Sequence, residues 1–277
     1  MNVVSTISEV RAARRATPAL GLVPTMGFLH EGHLSLVRRA RAECGAVAVS
    51  LFVNPTQFGP NEDFARYPRA RERDLALLEA EGCDLVFIPE VSEIYPTGFD
   101  TRINVGGVSQ GLEGAVRPGH FEGVATVVAK LLNIFQPDCA YFGQKDAQQA
   151  AVIRKLVRDL DLPVSIVICD IVREPDGLAM SSRNAYLSRD ERHRATLLIR
   201  ALRSAEAAFE AGERKATVLR ATLTATLASD PAAAIDYVSV ADPLTLQELD
   251  EVGAAGALMS LAVLIGATRL IDNLVVG

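Results

Sequence analysis

Apolar positions along the chain fall into two textures. Up to about residue 175, short unbroken apolar runs alternate with amphipathic stretches. The runs AVAVSLFV (46–53), DLVFIP (84–89), CAYF (139–142) and VSIVIC (164–169) lack polar alternation, as strands covered on both faces of a parallel sheet do. Between them, HLSLVRRARAE (33–43), RARERDLALLEAEG (69–82), FEGVATVVAKLLNIFQP (121–137) and DAQQAAVIRKLVRDLDLP (146–163) carry apolar residues at helical spacing. Several close on Gly or Pro, as helix ends do. Strand and helix in alternation imply right-handed crossovers, which predicts a doubly wound parallel α/β sheet of Rossmann-like type over residues 1–176. Beyond Gly177 the order changes. Residues 191–228, rich in Ala, Leu, Arg and Glu, predict two helices, and IDYVSVAD, GALMSLAVLIG and TRLIDNLVV then follow as strands with no helix between them. That predicts a smaller α+β C-terminal domain, 177–277, joined through the polar, turn-rich link VREPDGLAMSSRNAYLS.

Composition narrows the class. A chain of 277 residues with 49% apolar and 22% charged positions is ordinary globular material, which excludes disorder, collagen-like repeats and a coiled coil. The net charge of −6 argues against nucleic acid as the main partner, since phosphate neutralisation needs a basic face. A small anionic substrate in a local basic pocket stays compatible with it. The uncharged stretch 252–268 is shorter than the ~20 residues of a membrane span and is loosened by Gly253, Gly256 and Gly266, so it predicts a buried strand. The N-terminus places its positive charge after the weakly apolar part, the reverse of a signal peptide. Cys44, Cys83, Cys139 and Cys169 lie far apart with no metal-ligand spacing, as reduced thiols of a cytoplasmic protein do.

Five segments place polar residues where open α/β sheets bind ligands. In GLVPTMGFLHEGHLSLVRRA, the apolar run ends at Val23, Pro24-Thr25-Met26-Gly27 turn the chain, and a helix starts near Gly32 and His33. A strand running into a helix N-terminus favours anions through its unpaired N–H groups and dipole. His30 and His33, three residues apart, can point from the first helical turn into one mouth and donate to phosphate oxygens. Capping or surface histidines have the same spacing, but two of the four histidines share this turn. After the second run come Asn54 and Gln57, neutral amides that suit a polyol or hydroxy acid, although Asn-Pro is also ordinary turn chemistry. Arg117 and His120 precede an apolar helix, placed either to clamp a carboxylate or phosphate or as exposed loop residues. Gly143, Gln144, Lys145 and Asp146 follow another strand, with Gln148 and Gln149 on the next helix; Lys145 is a point charge for phosphate or a solvated loop lysine. In the link, Ser181, Ser182 and Arg183 make either an anion-binding loop or a Ser-rich connector.

Taken in order, Pro24 to Leu36, Asn54 to Phe58, Arg117 to Val124, Gly143 to Gln149 and Met180 to Asn184 resemble the signatures P-T-M-G-x-L-H-x-G-H-x-x-L, N-P-x-Q-F, R-P-G-H-F-x-G-V, G-x-K-D-x-Q-Q and M-S-S-R-N of the pantoate–β-alanine ligases. Asp236-Tyr237 and Thr268 to Asn273 also fit, so the resemblance covers nearly the whole chain. It implies the fold of the HIGH-type nucleotidyltransferases and a two-step reaction. Pantoate is activated by ATP as pantoyl adenylate, releasing pyrophosphate, and β-alanine then displaces AMP to give pantothenate.

The resemblance also implies roles. His33, with His30 and Lys145, is catalytic. Pro24, Thr25, Met26, Gly27, His30, Gly32 and His33 hold ATP, as do Gly143, Gln144, Lys145, Asp146, Val172, Met180, Ser181, Ser182 and Arg183. Gln57 and Gln149, with Asn54, Arg117 and His120, take pantoate and β-alanine. One departure from the wider superfamily is the Met-Ser-Ser-Arg loop, which lacks the lysines of KMSKS, so Lys145 and Arg183 would share the phosphate work. Mg²⁺ is expected on the ATP phosphates. There it keeps several waters and needs few protein carboxylates, with Asp74 a weak candidate ligand. The second domain and the polar link are expected to close over the active site, in a cytoplasmic homodimer that binds no membrane. Another nucleotidyltransferase would not need the Gln57 and Gln149 pair, and a non-catalytic nucleotide sensor would not need to keep histidines, lysine and serine loop together.

Overall fold

The apolar runs form strands and the amphipathic stretches form helices, in the order the periodicity predicts. The computed structural model describes residues 1–60 and 62–277. In chain order the first part comprises β1 (Asn2–Val4), α1 (Ile7–Arg15), β2 (Leu20–Thr25), α2 (Glu31–Cys44), β3 (Ala46–Leu51), α3 (Arg71–Ala80), β4 (Leu85–Phe87), α4 (Val91–Ile94), α5 (Glu113–Val116), α6 (His120–Phe135), β5 (Cys139–Gly143), α7 (Ala147–Asp159) and β6 (Ser165–Cys169). The second comprises α8 (Arg189–Ala195), α9 (Leu197–Glu210), α10 (Ala216–Leu227), β7 (Ala233–Ala241), β8 (Ala257–Ile265) and β9 (Thr268–Val276).

The chain divides into two compact units: 1–143 with 152–170, and 144–151 with 171–277. The second unit therefore begins at Ile171 rather than at the expected Gly177, and it also takes the segment after β5. Polar, turn-rich composition marks the whole link, so composition alone does not locate the boundary within it.

In the first unit a six-stranded, all-parallel sheet has the order β1-β4-β3-β2-β5-β6. The order reverses between β2 and β5, and ligands of such sheets bind outside the carboxyl ends of the strands at that switch point. β2 pairs with β5 only through Gly21 and Leu22, whereas it follows β3 to its last residue, Thr25 opposite Leu51. The strand thus continues through Pro24 and Thr25 where a turn was expected. Pro24 is tolerated because its missing N–H lies beyond the part of β2 that pairs with β5. β3 and β4 are buried almost throughout, which explains their lack of polar alternation. α6 buries residues on every side, as its composition required. β1, α1, α4 and α5 escaped the periodicity; α1 is set by a capping box between Thr6 and Glu9.

The second unit lays an antiparallel sheet, β7-β8-β9, against α9 and α10. Met259, Leu261, Val263 and Ile265 of β8 share one core with Leu198 and Leu202 of α9 and Leu219 and Leu223 of α10. The uncharged stretch is therefore a covered strand, and no described helix is long and apolar enough to cross a membrane. Residues 191–228 form three helices instead of two. Ser188 and Glu191 make a capping box that starts α8, and the hydroxyl of Thr196 takes the carbonyl of His193 where α9 begins. All four cysteines are free thiols, and burial pushes Cys83 up to about 12.

Candidate active site

The turn after β2 reverses the chain sharply ahead of α2. Gly27 has φ +82° and Phe28 has φ +50°, so two left-handed residues fold the chain back before the helix. A Cβ at Gly27 would also sit 3.2 Å from Asp74 Oδ2. Asp74 is 2% exposed, and its carboxylate accepts the N–H of Phe28 at 2.7 Å through Oδ2 and that of Leu29 at 2.8 Å through Oδ1. Two charge-assisted bonds thus hold the strained peptide in place. Both oxygens face backbone donors, an arrangement that opposes metal ligation. Among the described residues, no cluster of three or more His, Cys, Asp or Glu could hold a metal ion.

His30 is the N-cap of α2 and His33 lies in its first turn, with ring centroids 4.0 Å apart. The backbone N–H of His30 donates to His33 Nδ1 at 3.3 Å. That bond makes Nδ1 the acceptor, so in the neutral ring the proton belongs on Nε2, which becomes a donor. The N-terminus of α2 thus brings together main-chain donors, a positive dipole end and the His30 and His33 rings. Thr25 Oγ1 donates to the carbonyl of Ser50 and accepts from the N–H of Gly27, tying the turn to β3.

Gln57 belongs to a short 3₁₀ turn, Pro55–Gln57, beyond the carboxyl end of β3. Asn54 organises that turn and is 1% exposed. Its Oδ1 accepts from Tyr95 OH at 2.7 Å and from Thr56 Oγ1 at 3.0 Å, and its Nδ2 donates to Gln57 Oε1 at 3.1 Å and the Gly123 carbonyl at 3.2 Å. Gln57 Nε2 lies 3.2 Å from Met26 Sδ, which brings the second segment to the first. Gly123 is required for close approach: a Cβ there would stand 2.4 Å from the Thr56 carbonyl oxygen. Asn54 thus meets protein groups and orients Gln57.

Arg117 and His120 are brought to the same turn. Arg117 donates to both oxygens of Glu62, Nε at 2.8 Å and Nη2 at 2.6 Å. The clamp expected at this helix entrance grips a carboxylate of the protein itself. His120 Nδ1 donates to the Gln57 carbonyl at 2.8 Å, and its Nε2 accepts from Arg117 Nη1 at 3.2 Å. Burial, and then the positive charge of Arg117, bring His120 down to about 4. The neutral ring is the form that fits, since only it can donate through Nδ1 and accept through Nε2. The unfolded chain binds this proton between the ordinary value of about 6.5 and 4, so stability should be full above pH 6.5 and fall as the pH drops towards 4. The slope approaches ~1.4 kcal/mol per pH unit. Urea unfolding from pH 7 to 4 should show it, and His120→Gln should flatten it; an equal slope in that variant would assign the acid sensitivity elsewhere.

In the second unit, Gln144–Asp146 form a 3₁₀ turn and Lys145 is half-buried. Gln149 is half-buried on α7, while Gln148 is buried at 6% exposure. The link folds into a tight hairpin with Arg173 bridged to Ala179. The Val172 carbonyl accepts the Met180 N–H at 3.0 Å. The hydroxyl of Ser181 caps the 3₁₀ turn Ser182–Tyr186 by accepting the N–H of Arg183 at 3.2 Å. Ser182 is buried. The expected segments are thus ordered turns in each unit. Sequence reasoning missed Glu62, Tyr95 and Arg173, and it offered Asp74 as a weak Mg²⁺ candidate without the bracing role seen here. A signal for Asp74 was present: it shares an inward face of α3 with Leu78, four residues on.

The pantoate–β-alanine ligase family matches residues 2–275. This chain belongs to the pantoate–β-alanine ligase family. It is 63% identical over 273 residues to pantothenate synthetase of Chloroflexus aurantiacus, covering 99% of this chain and 97% of that one. With pantothenate synthetase of Herpetosiphon aurantiacus it shares 62% over 275 residues, 99% and 100% covered. Among solved structures, a pantothenate synthetase from Thermus thermophilus superposes with a TM-score of 0.95 at 49% identity, covering 99% of both chains. Pantoate–β-alanine ligase from Francisella tularensis, complexed with β-γ ATP and β-alanine, gives 0.82 at 35%, with 99% and 97% covered. The family expected from the five ordered segments is therefore the one to which the chain belongs, and its fold is the fold found here.

Proposed function

We propose that this chain joins pantoate to β-alanine at the expense of ATP, through a pantoyl-adenylate intermediate. The observation that carries the reading is the turn after β2. It sits at the switch point of the parallel sheet, is braced by Asp74, and ends in the His30–His33 pair at a helix N-terminus. The Francisella relative, solved with β-γ ATP and β-alanine, supports the choice of substrates.

In the first step an oxygen of the pantoate carboxylate attacks the α-phosphorus. The bond from that phosphorus to its bridging oxygen breaks, and pyrophosphate leaves. Phosphoryl chemistry of this kind depends on positioning and charge stabilisation more than on covalent help. His33, donating through Nε2, stabilises charge on the phosphates, and the N-terminus of α2 adds main-chain donors. Pro24 to Gly27, Gly32, Gly143 to Asp146, Val172 and Met180 to Arg183 contact the nucleotide. Lys145 and Arg183 supply fixed positive charge to its phosphates. Mg²⁺ would sit on the ATP phosphates and neutralise charge there, keeping several waters and needing few protein carboxylates. In the second step the neutral amine of β-alanine attacks the acyl carbon, the acyl–oxygen bond breaks, AMP departs, and the new amide nitrogen loses a proton. Gln57 and Gln149 hold pantoate, with Asn54, Arg117 and His120 fixing the loop that carries Gln57. The test is AMP release with each substrate omitted in turn. AMP that accumulates only when pantoate, β-alanine and ATP are all present supports the reading, and AMP release indifferent to β-alanine overturns it.

A further inference from the structure

The motif T-R-L-I-D-N on β9 lies outside every role described so far, yet its last two residues are polar, consecutive and 2% exposed. Asn273 turns its amide onto the 3₁₀ turn of Lys145. Its Nδ2 donates to the Gln144 carbonyl at 3.0 Å and to the Lys145 carbonyl at 2.9 Å, and its Oδ1 accepts from Gln144 Nε2 at 3.1 Å. Those two carbonyls belong to the peptide planes on either side of Lys145. A residue has only two soft backbone dihedrals, so holding both flanking planes fixes the direction in which its side chain leaves the backbone. Asp272 acts on the other nucleotide segment. Its carboxylate takes Arg173 in a fork, at 2.6 and 3.0 Å, and Arg173 Nη1 also donates to the Gly177 carbonyl at 3.1 Å. The hairpin that leads into Ser181 is thereby tied to the same strand.

We propose that Asn273 is a positioning residue for the adenylation step: it aims Lys145 at the ATP phosphates, while its neighbour Asp272 anchors the hairpin before the serine loop through Arg173. The inference rests on the proposed role of Lys145. A buried amide that satisfies two carbonyls and a side-chain donor at once specifies a single turn geometry. Asparagine is the residue that does this, because aspartate of the same shape has no N–H to give.

The test compares Asn273→Asp with Leu223→Ala, a cavity in the core of the same unit that touches neither segment. In Asn273→Asp, KM for ATP in pyrophosphate exchange should rise by about 10–100-fold, the worth of one or two lost hydrogen bonds. KM for pantoate should stay within about twofold. Amide hydrogen exchange of the ligand-free protein should quicken over 143–149 and stay unchanged over β8. Leu223→Ala should lower the melting temperature without moving KM for ATP or local exchange. Unchanged exchange over 143–149 in Asn273→Asp, or an equal rise of KM for ATP in Leu223→Ala, overturns the proposal. The role of Lys145 fails separately, by unaltered ATP use in Lys145→Ala.

Discussion

Replacing His33 by alanine should slow formation of pantoyl adenylate by about 10²–10⁴-fold, the usual cost of a key donor or acid, and leave the fold intact. The ring is half-buried in the first turn of α2, and its Nδ1 is committed to the His30 N–H at 3.3 Å. Nε2 is therefore the nitrogen that bears the proton of the neutral ring, and it is the donor that the proposed adenylation uses. Alanine removes that donor but keeps the helix dipole, Asp74 and the left-handed turn, so ATP should still bind. Single-turnover adenylate formation, followed by rapid quench, measures the effect. A rate within a few-fold of wild type would take His33 out of the chemistry.

Lys145→Ala should cost about 10²–10³-fold in the same step and, unlike the histidine variant, should weaken ATP binding as well. An ammonium on phosphate oxygens binds the phosphates already in the ground state and holds them more strongly as charge builds up in the transition state, so affinity and rate should both fall. Lys145→Arg should recover only part of the loss. Its planar fork is longer and directional, and both peptide planes around position 145 are fixed by Asn273. Calorimetric ATP binding together with the single-turnover rate separates the two contributions. Normal affinity and a normal rate in Lys145→Ala would make Lys145 an ordinary solvated loop residue.

Most of the fold was legible because burial on both faces leaves a simple trace. β3, β4, β5 and β6 appear as apolar runs, and α2, α3, α6 and α7 as periodic ones. Length and local capping decided what periodicity left out. β1 and α1 are short, and α8 separates from α9 at a Thr196 hydroxyl bond that no apolar pattern encodes. The candidate site was legible at the level of segments: every predicted segment lies in an ordered turn or at the start of a helix. Which side chain faces a ligand was less legible. Asn54, Arg117 and His120 look like substrate groups in the sequence, and the structure gives each of them partners in the protein. The residues that brace the turns, Asp74, Glu62, Asp272 and Asn273, are distant in sequence from what they hold, and distance of that kind is set by topology.

If an acid is activated as its acyl-AMP before the amine enters, labelled pyrophosphate should pass into ATP when the full chain is given pantoate and MgATP without β-alanine. The expected exchange depends on pantoate and falls by about 10²-fold or more in His33→Ala. Absence of exchange in the wild-type protein, alongside pantothenate formation when β-alanine is added, would contradict an adenylate intermediate.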